Sequence, residues 1–152
     1  METEQTFSFL KPESVMRSFV GEIVSRFERK GLLLVAAKLL QMSREQAERL
    51  YMMHKGKPFF LELVGHVTSG PVFAMIWEGP NAVALVRNLV GATSPANAQP
   101  GSIRGDYALG MTPNAIHAAD SVENAKRELS IFFAPNELVK YSKPTEREFL
   151  LK

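Results

Sequence analysis

Residues 72–77, VFAMIW, constrain the fold more than any other stretch of the chain. The run is rich in aromatic and branched side chains and is bounded by Ser69-Gly70-Pro71 on one side and Gly79-Pro80 on the other. So apolar a strand is expected at the centre of a sheet, and the rest of the chain has to supply that sheet and its cover.

Residues 5–10, QTFSFL, end at Lys11-Pro12 and read as a first strand, with Pro12 suited to the first turn of the helix that follows. Over residues 14–29 the apolar positions Val15, Met16, Phe19, Val20, Ile23, Val24 and Phe27 recur at three and four, which predicts one amphipathic helix closed by Lys30-Gly31. Residues 32–40 follow as a mostly buried strand, with helix as the rival reading because leucine and alanine favour it. Ser43 and Gln46 make a capping box for a helix bearing Ala47, Leu50 and Tyr51. After the break at Gly56-Lys57-Pro58, a second short helix carries Phe59, Phe60, Leu63, Val64 and Val67.

Beyond the central strand, residues 81–90 return to helical spacing, end at Gly91 and set Arg87 on the less apolar side. Residues 92–112 are poor in apolar side chains and broken by Pro95, Pro100, Gly101, Gly105 and Gly110. So long a loop usually has a function, and one turn over residues 102–107 would fix Arg104 within it. Residues 114–118 fit a last strand, and Asp120-Ser121 with Glu123 start a helix carrying Val122, Ala125, Leu129 and Phe132. From Ala134 the pattern is irregular, expected to wrap the surface or join a subunit contact, with Glu146-Arg147-Glu148 a solvated tail. The order predicts two strand-helix-strand units with helices on one face of a small, largely antiparallel sheet, in a single domain over residues 1–152.

Composition removes several functions. The chain has no cysteine, so thiol nucleophiles, disulfides and thiolate metal sites are out. Formal charge is +2 and the basic residues are spread out, which argues against dedicated nucleic-acid binding but allows a small anionic ligand. No apolar stretch reaches the length of a membrane span and no secretory segment opens the chain, so a cytoplasmic protein is expected. His54 and His66 form no clustered ligand pattern and read as surface residues, so a protein-bound metal is not expected.

The polar groups at element ends are Lys11, Tyr51, Arg87, Thr93, Arg104, Asn114 and His117, where sheet proteins commonly bind ligands. Two arginines and a lysine near a histidine suit phosphate, since the guanidinium forks onto phosphate oxygens and the ammonium is a compact charge. There is no GxxxxGK[ST] loop and no GxGxxG, which leaves transfer through a protein nucleophile open. Imidazole suits that role, and Glu128, eleven residues on, lies where the next helix can fold it back against the ring. Spacing alone leaves a surface or structural histidine as the simpler reading of His117, beside the catalytic one. The same holds for Lys11 and Arg87 as solvated charges, Arg104 as a loop pin, and Tyr51 and Phe59 as core aromatics, although Phe59 beside a turn can stack on a base.

At these residues the chain resembles the nucleoside diphosphate kinase family, through LKPES, HKGKPFF, SGPVFAMIWEG, GATSPANAQPGSIRGDY and NAIHAADSVENAKREL. The match covers nearly the whole sequence. It implies a ferredoxin-like α/β sandwich, a four-stranded antiparallel sheet with helices packed on it. It further implies ping-pong transfer of the terminal phosphate from a nucleoside triphosphate, such as ATP or GTP, to a diphosphate, such as ADP or GDP.

Carried over residue by residue, the resemblance makes His117 the phosphorylated nucleophile and Lys11, Arg87, Arg104 and Thr93 the phosphate contacts. Tyr51 positions the imidazole and phosphate, Asn114 holds the sugar side, Phe59 stacks on the base and Glu128 orients the ring. Mg2+ comes with the nucleotide phosphates, without direct protein ligands. The family forms hexamers or, less often, tetramers, and Pro95 matches a proline at the three-fold contact, so a homohexamer is favoured. Two positions depart from the pattern: Ala118 and Ala119 stand where glycine and serine are usual, and Ala119 brings no hydroxyl for Glu128.

Overall fold

The computed structural model describes residues 3–143; the Glu146-Arg147-Glu148 set lies outside the described residues. The strands are β1 (Thr3–Leu10), β2 (Leu33–Gln41), β3 (Pro71–Pro80) and β4 (Ile116–Ala118). They form one sheet in the order β2-β3-β1-β4, antiparallel at every pairing. The 72–77 run lies in β3, flanked by β1 from Thr3↔Pro80 to Leu10↔Phe73 and by β2 from Leu33↔Glu78 to Gln41↔Pro71. The fold is the ferredoxin-like α/β sandwich expected.

The helices are α1 (Pro12–Met16), α2 (Val20–Lys30), α3 (Arg44–Leu50), α4 (Phe60–Val67), α5 (Ala82–Val90), α6 (Ile103–Tyr107) and α7 (Val122–Phe132). They cover both faces of the sheet, not the single face expected. Val72, Ala74 and Ile76 pack with Phe7 and Phe9 against Leu50, Phe60, Val64 and Phe132 from α3, α4 and α7. Met75 and Trp77 pack with Leu10 against Ile23, Phe27, Val86 and Val90 from α2 and α5. The reason lies in the run itself. Successive strand residues point to opposite faces, and VFAMIW is apolar at both sets of positions, so neither face can be left to water.

The helix expected over residues 14–29 is broken. Ser18 sits at φ 63°, between α1 and α2, and Met16 is 74% exposed. The left-handed residue costs roughly 1 kcal/mol. Restarting the helix there buries Ile23 and Phe27 completely, each contributing about 1.5–3 kcal/mol, so the break prevails. Gly31 closes α2 at φ 100°, and the Ser43–Gln46 capping box opens α3 as expected.

The last strand is shorter than residues 114–118. The Ile116 N–H donates to Asn114 O at 3.0 Å with Ala115 between them at φ 77°, a γ-turn that keeps these residues off the ladder. Inside the long loop, the turn expected around Arg104 is α6, capped by Ser102 Oγ accepting from the Gly105 N–H. The segment after Ala134 makes one tight turn, Pro135–Glu137, then lies along β2, where the Val139 N–H donates to the carbonyl of Val35 beside the bulge at Leu34/Ala36.

Candidate active site

β4, α7, α3, α4 and the long loop surround a cleft of about 520 Å³. All nine residues expected at the site line it: Lys11, Tyr51, Phe59, Arg87, Thr93, Arg104, Asn114, His117 and Glu128. Segments far apart in sequence therefore meet at one histidine.

His117 is placed by register. It pairs with Phe9 across β1 and β4, so the two side chains share a face, and their rings stack with centroids 5.0 Å apart. Tyr51 meets the imidazole edge-on at 6.1 Å. Nε2 lies 3.0 Å from Glu128 Oε1 on α7. A carboxylate only accepts, so Nε2 carries the proton and the lone pair of the neutral ring sits on Nδ1. Nδ1 has no protein partner among the described residues. Glu128 Oε2 is buried without a hydrogen-bond partner among the described residues, in keeping with an alanine at 119 that offers no hydroxyl. Ala118 lies in β4 with no positive φ, as expected of a residue standing where glycine is usual.

The cations are held by the backbone. Lys11 is buried, donating from Nζ to Thr112 O at 2.9 Å, so it is no solvated lysine. Burial, reinforced by Arg104 and partly offset by Glu13, pulls its pKa down to about 8. Arg104 is buried as well, donating to the carbonyls of Ile116 at 2.8 Å and of Asn114 and Gly91 at 3.3 Å. It pins the loop and faces the cleft at once. Burial, with the Arg87 charge beside it, lowers its pKa to about 10. Gly91 is required here: it sits at φ 92°, and a Cβ would meet Ser102 Oγ at 2.5 Å. Arg87 is half-buried and donates to Ala118 O at 3.3 Å, one residue past His117.

Tyr51 is a buried aromatic that also lines the cleft. Burial, then the Glu128 carboxylate, raises its hydroxyl well above the usual value. Phe59 is 41% exposed, hence no core residue, and its ring meets that of His54 at 5.1 Å. Asn114 donates from Nδ2 to Thr93 O at 3.2 Å, leaving Oδ1 buried and without a partner among the described residues. Thr112 Oγ1 donates to Glu62 Oε1 at 2.7 Å, tying α4 to the loop.

Both histidines read as surface residues are corrected. His54 lines the cleft, and His66 is half-buried against Glu13, with Nε2 2.9 Å from Oε1. Sequence reasoning also missed Phe9 beneath the imidazole and Met111, Asp120 and Asn124 in the lining. Phe9 was already a strand residue facing in, but register is what sets it opposite His117. Among the described residues no three His, Asp or Glu side chains group closely enough to hold a metal ion. Asp120 is an exposed carboxylate in the lining, and its acidity is increased by Asn124 bonding Oδ1 at 2.6 Å, with Arg87 and His117 nearby.

An antiparallel sandwich that gathers an oriented imidazole and three cations at one end of its sheet defines a phosphate-handling α/β protein. Comparison with known proteins narrows that class. Residues 4–138 match the family described as Nucleoside diphosphate kinase. A nucleoside diphosphate kinase of Halalkalibacterium halodurans is 54% identical over 144 residues, covering 95% of this chain and 98% of that protein. One from Ignicoccus hospitalis is 57% identical over 136 residues, covering 90% and 92%. The solved structure of a halophilic nucleoside diphosphate kinase from Halobacterium salinarum, in complex with CDP, superposes with a TM-score of 0.93 at 43% identity, covering 97% of this chain and 98% of that one. The chain belongs to the nucleoside diphosphate kinase family. No helix among the described residues is long and apolar enough to cross a membrane.

Proposed function

We propose that this chain is a nucleoside diphosphate kinase that moves the terminal phosphate of a nucleoside triphosphate to a nucleoside diphosphate through phosphorylated His117. The observation that carries the reading is the His117–Glu128 pair, which commits Nε2 and leaves the lone pair on Nδ1 in a cleft also lined by Lys11, Arg87 and Arg104. In the first half-reaction Nδ1 attacks the γ-phosphorus, an N–P bond forms, the bond from phosphorus to the β-bridging oxygen breaks, and the diphosphate leaves with that electron pair. The Nε2 proton stays between the ring and Glu128, whose charge stabilises the phosphorylated imidazole. The second half-reaction reverses these steps onto a different diphosphate.

Lys11, Arg87 and Arg104 offset the charge that spreads over the transferred oxygens, with Thr93 as a further phosphate contact. Tyr51 packs the ring in place. Asn114 Oδ1, buried without a partner, accepts from the sugar, and Phe59 offers its exposed face to the base. Mg2+ bound to the nucleotide phosphates supplies further charge neutralisation. One exposed lining carboxylate, Asp120, fits an ion that keeps its waters and takes most of its ligands from phosphate.

The chain forms a single domain over residues 1–152 and works in the cytoplasm as a homohexamer. Apolar side chains such as Met16, Leu39 and Leu109, the last 100% exposed, are surface that subunit contacts would cover. The test of the catalytic reading is transfer in two stages with isolation of the phosphorylated protein. Acid-labile, base-stable label that passes to several diphosphates is expected, and absence of label on active-site titrated protein rejects the mechanism.

A further inference from the structure

The turn that brings Asn114 and His117 into the cleft is gripped from outside it. Ala115 holds φ 77°, a conformation that persists only where the surroundings over-determine it. Its N–H donates to Glu13 Oε2 at 3.3 Å, while its carbonyl accepts from Ser14 Oγ at 2.8 Å and from the Lys11 N–H at 3.0 Å. Glu13 is itself oriented by His66 on α4, Nε2 to Oε1 2.9 Å, and the two side chains are 20% and 22% exposed. Burial pushes the Glu13 carboxyl up, but the His66 bond and the backbone N–H bonds together pull it below the usual range. The same helix holds the loop at Thr112 through Glu62. α4 therefore grips the segment before His117 at two points.

We propose that Glu13 and His66 are a positioning pair for phosphoryl transfer, holding the Ala115 peptide in its left-handed turn so that Asn114 and His117 enter the cleft in mutual register. The inference rests on the reading of His117 as nucleophile. Neither residue lines the cleft, so neither touches substrate. Their effect is geometric, and a displacement of about 1 Å at a reacting group can cost roughly a hundredfold in rate.

The test compares Glu13→Ala, Glu13→Gln, His66→Phe and His66→Gln in single-turnover labelling from saturating ATP, alongside nucleotide affinity and melting temperature. Glutamine at 13 keeps an acceptor for the Ala115 N–H, and glutamine at 66 keeps a donor for Glu13. Glu13→Ala is expected to label about tenfold or more slowly with nucleotide affinity within about twofold, and Glu13→Gln to recover most of the rate. His66→Gln should label faster than His66→Phe. The Ala115 amide resonance should move in Glu13→Ala and stay near its parental position in Glu13→Gln.

Parental labelling by Glu13→Ala overturns the proposal, as does a rate loss that affinity or melting temperature shares in proportion. Should Glu13→Ala fail to fold, His66→Phe decides: parental labelling there overturns the pair, and slow labelling rescued by His66→Gln supports it. If the parent takes no label, the catalytic reading falls. The amide resonance then still reports whether Glu13 grips the turn, so the two failures are distinguishable.

Discussion

At one edge of the sheet β2 runs beside β3 from Leu33↔Glu78 to Gln41↔Pro71; at the other β4 meets β1 through Ser8↔Ala118, Phe9↔His117 and Leu10↔Ile116 alone. The long ladder has the regular backbone bonds of a stable sheet. The short one, which carries the candidate nucleophile, is held largely by side chains that bond its carbonyls: Arg104 to Asn114 and Ile116, Ser14 to Ala115, Arg87 to Ala118. A ladder keeps a strand in place but lets few of its atoms be aimed. Side chains from three other segments aim the β4 edge, and each becomes a place where a mutation can alter activity while the sheet stands.

Damage to the ladder side should harm stability far more than catalysis, and an equal loss of both would contradict this division between the two edges. Ile76→Ala empties a fully buried position in β3 and should cost about 2–5 kcal/mol in a denaturant titration, with KM for nucleotide within about twofold of the parent. Arg104→Ala acts at the other edge. It removes the Arg104 donor from the carbonyls of Ile116 and Gly91, while Asn114 O keeps the Ile116 N–H, a loss worth about 1–3 kcal/mol of stability where they are buried. It also removes a cleft cation, so turnover should fall by about a hundredfold or more, far beyond what its stability loss explains.

Lys11 makes the cleft side sensitive to pH. Its folded pKa of about 8 lies below the ordinary 10.5, so the ammonium is lost as pH rises through 8. The kcat/KM profile should fall about tenfold per pH unit above that point, and Lys11→Arg should shift the limb upward. Stability moves the other way: between the folded and unfolded values the unfolded chain holds more protons, so this site makes folding more favourable as pH rises through that window. The smallest effect is expected at Ser18, where φ 63° suits glycine; Ser18→Gly should raise stability by about 0.5 kcal/mol with turnover unchanged.

The sequence showed the layers well where periodicity and burial agree. VFAMIW announced the central strand, and its apolar residues on both alternating sets held the reason for cover on two faces. Ser18 was opaque because an apolar spacing of three and four continues through it, and no local signal marks a left-handed serine. At the site, the residues with distinctive chemistry, from Lys11 to Glu128, were readable from element ends and from the family resemblance. The ones that place them were not. Phe9 looked like any inward strand residue, Glu13 like an ordinary first-turn acid, and Ala115 like part of a strand, because register, side-chain grip and a γ-turn are set by segments about a hundred residues apart. Even Ala119, readable as a missing hydroxyl, needed the structure to show that Glu128 Oε2 is left unpartnered.

On this reading His117 Nδ1 carries the phosphate between two nucleotides. The most direct test is to label the protein with γ-phosphate-labelled ATP, strip the nucleotide, map the label and then add an unlabelled diphosphate such as GDP. Label is expected on His117, absent from His117→Gln, and should pass completely to the added diphosphate. Label retained by His117→Gln, or a wild-type phosphoprotein that does not discharge to the diphosphate, would contradict this reading.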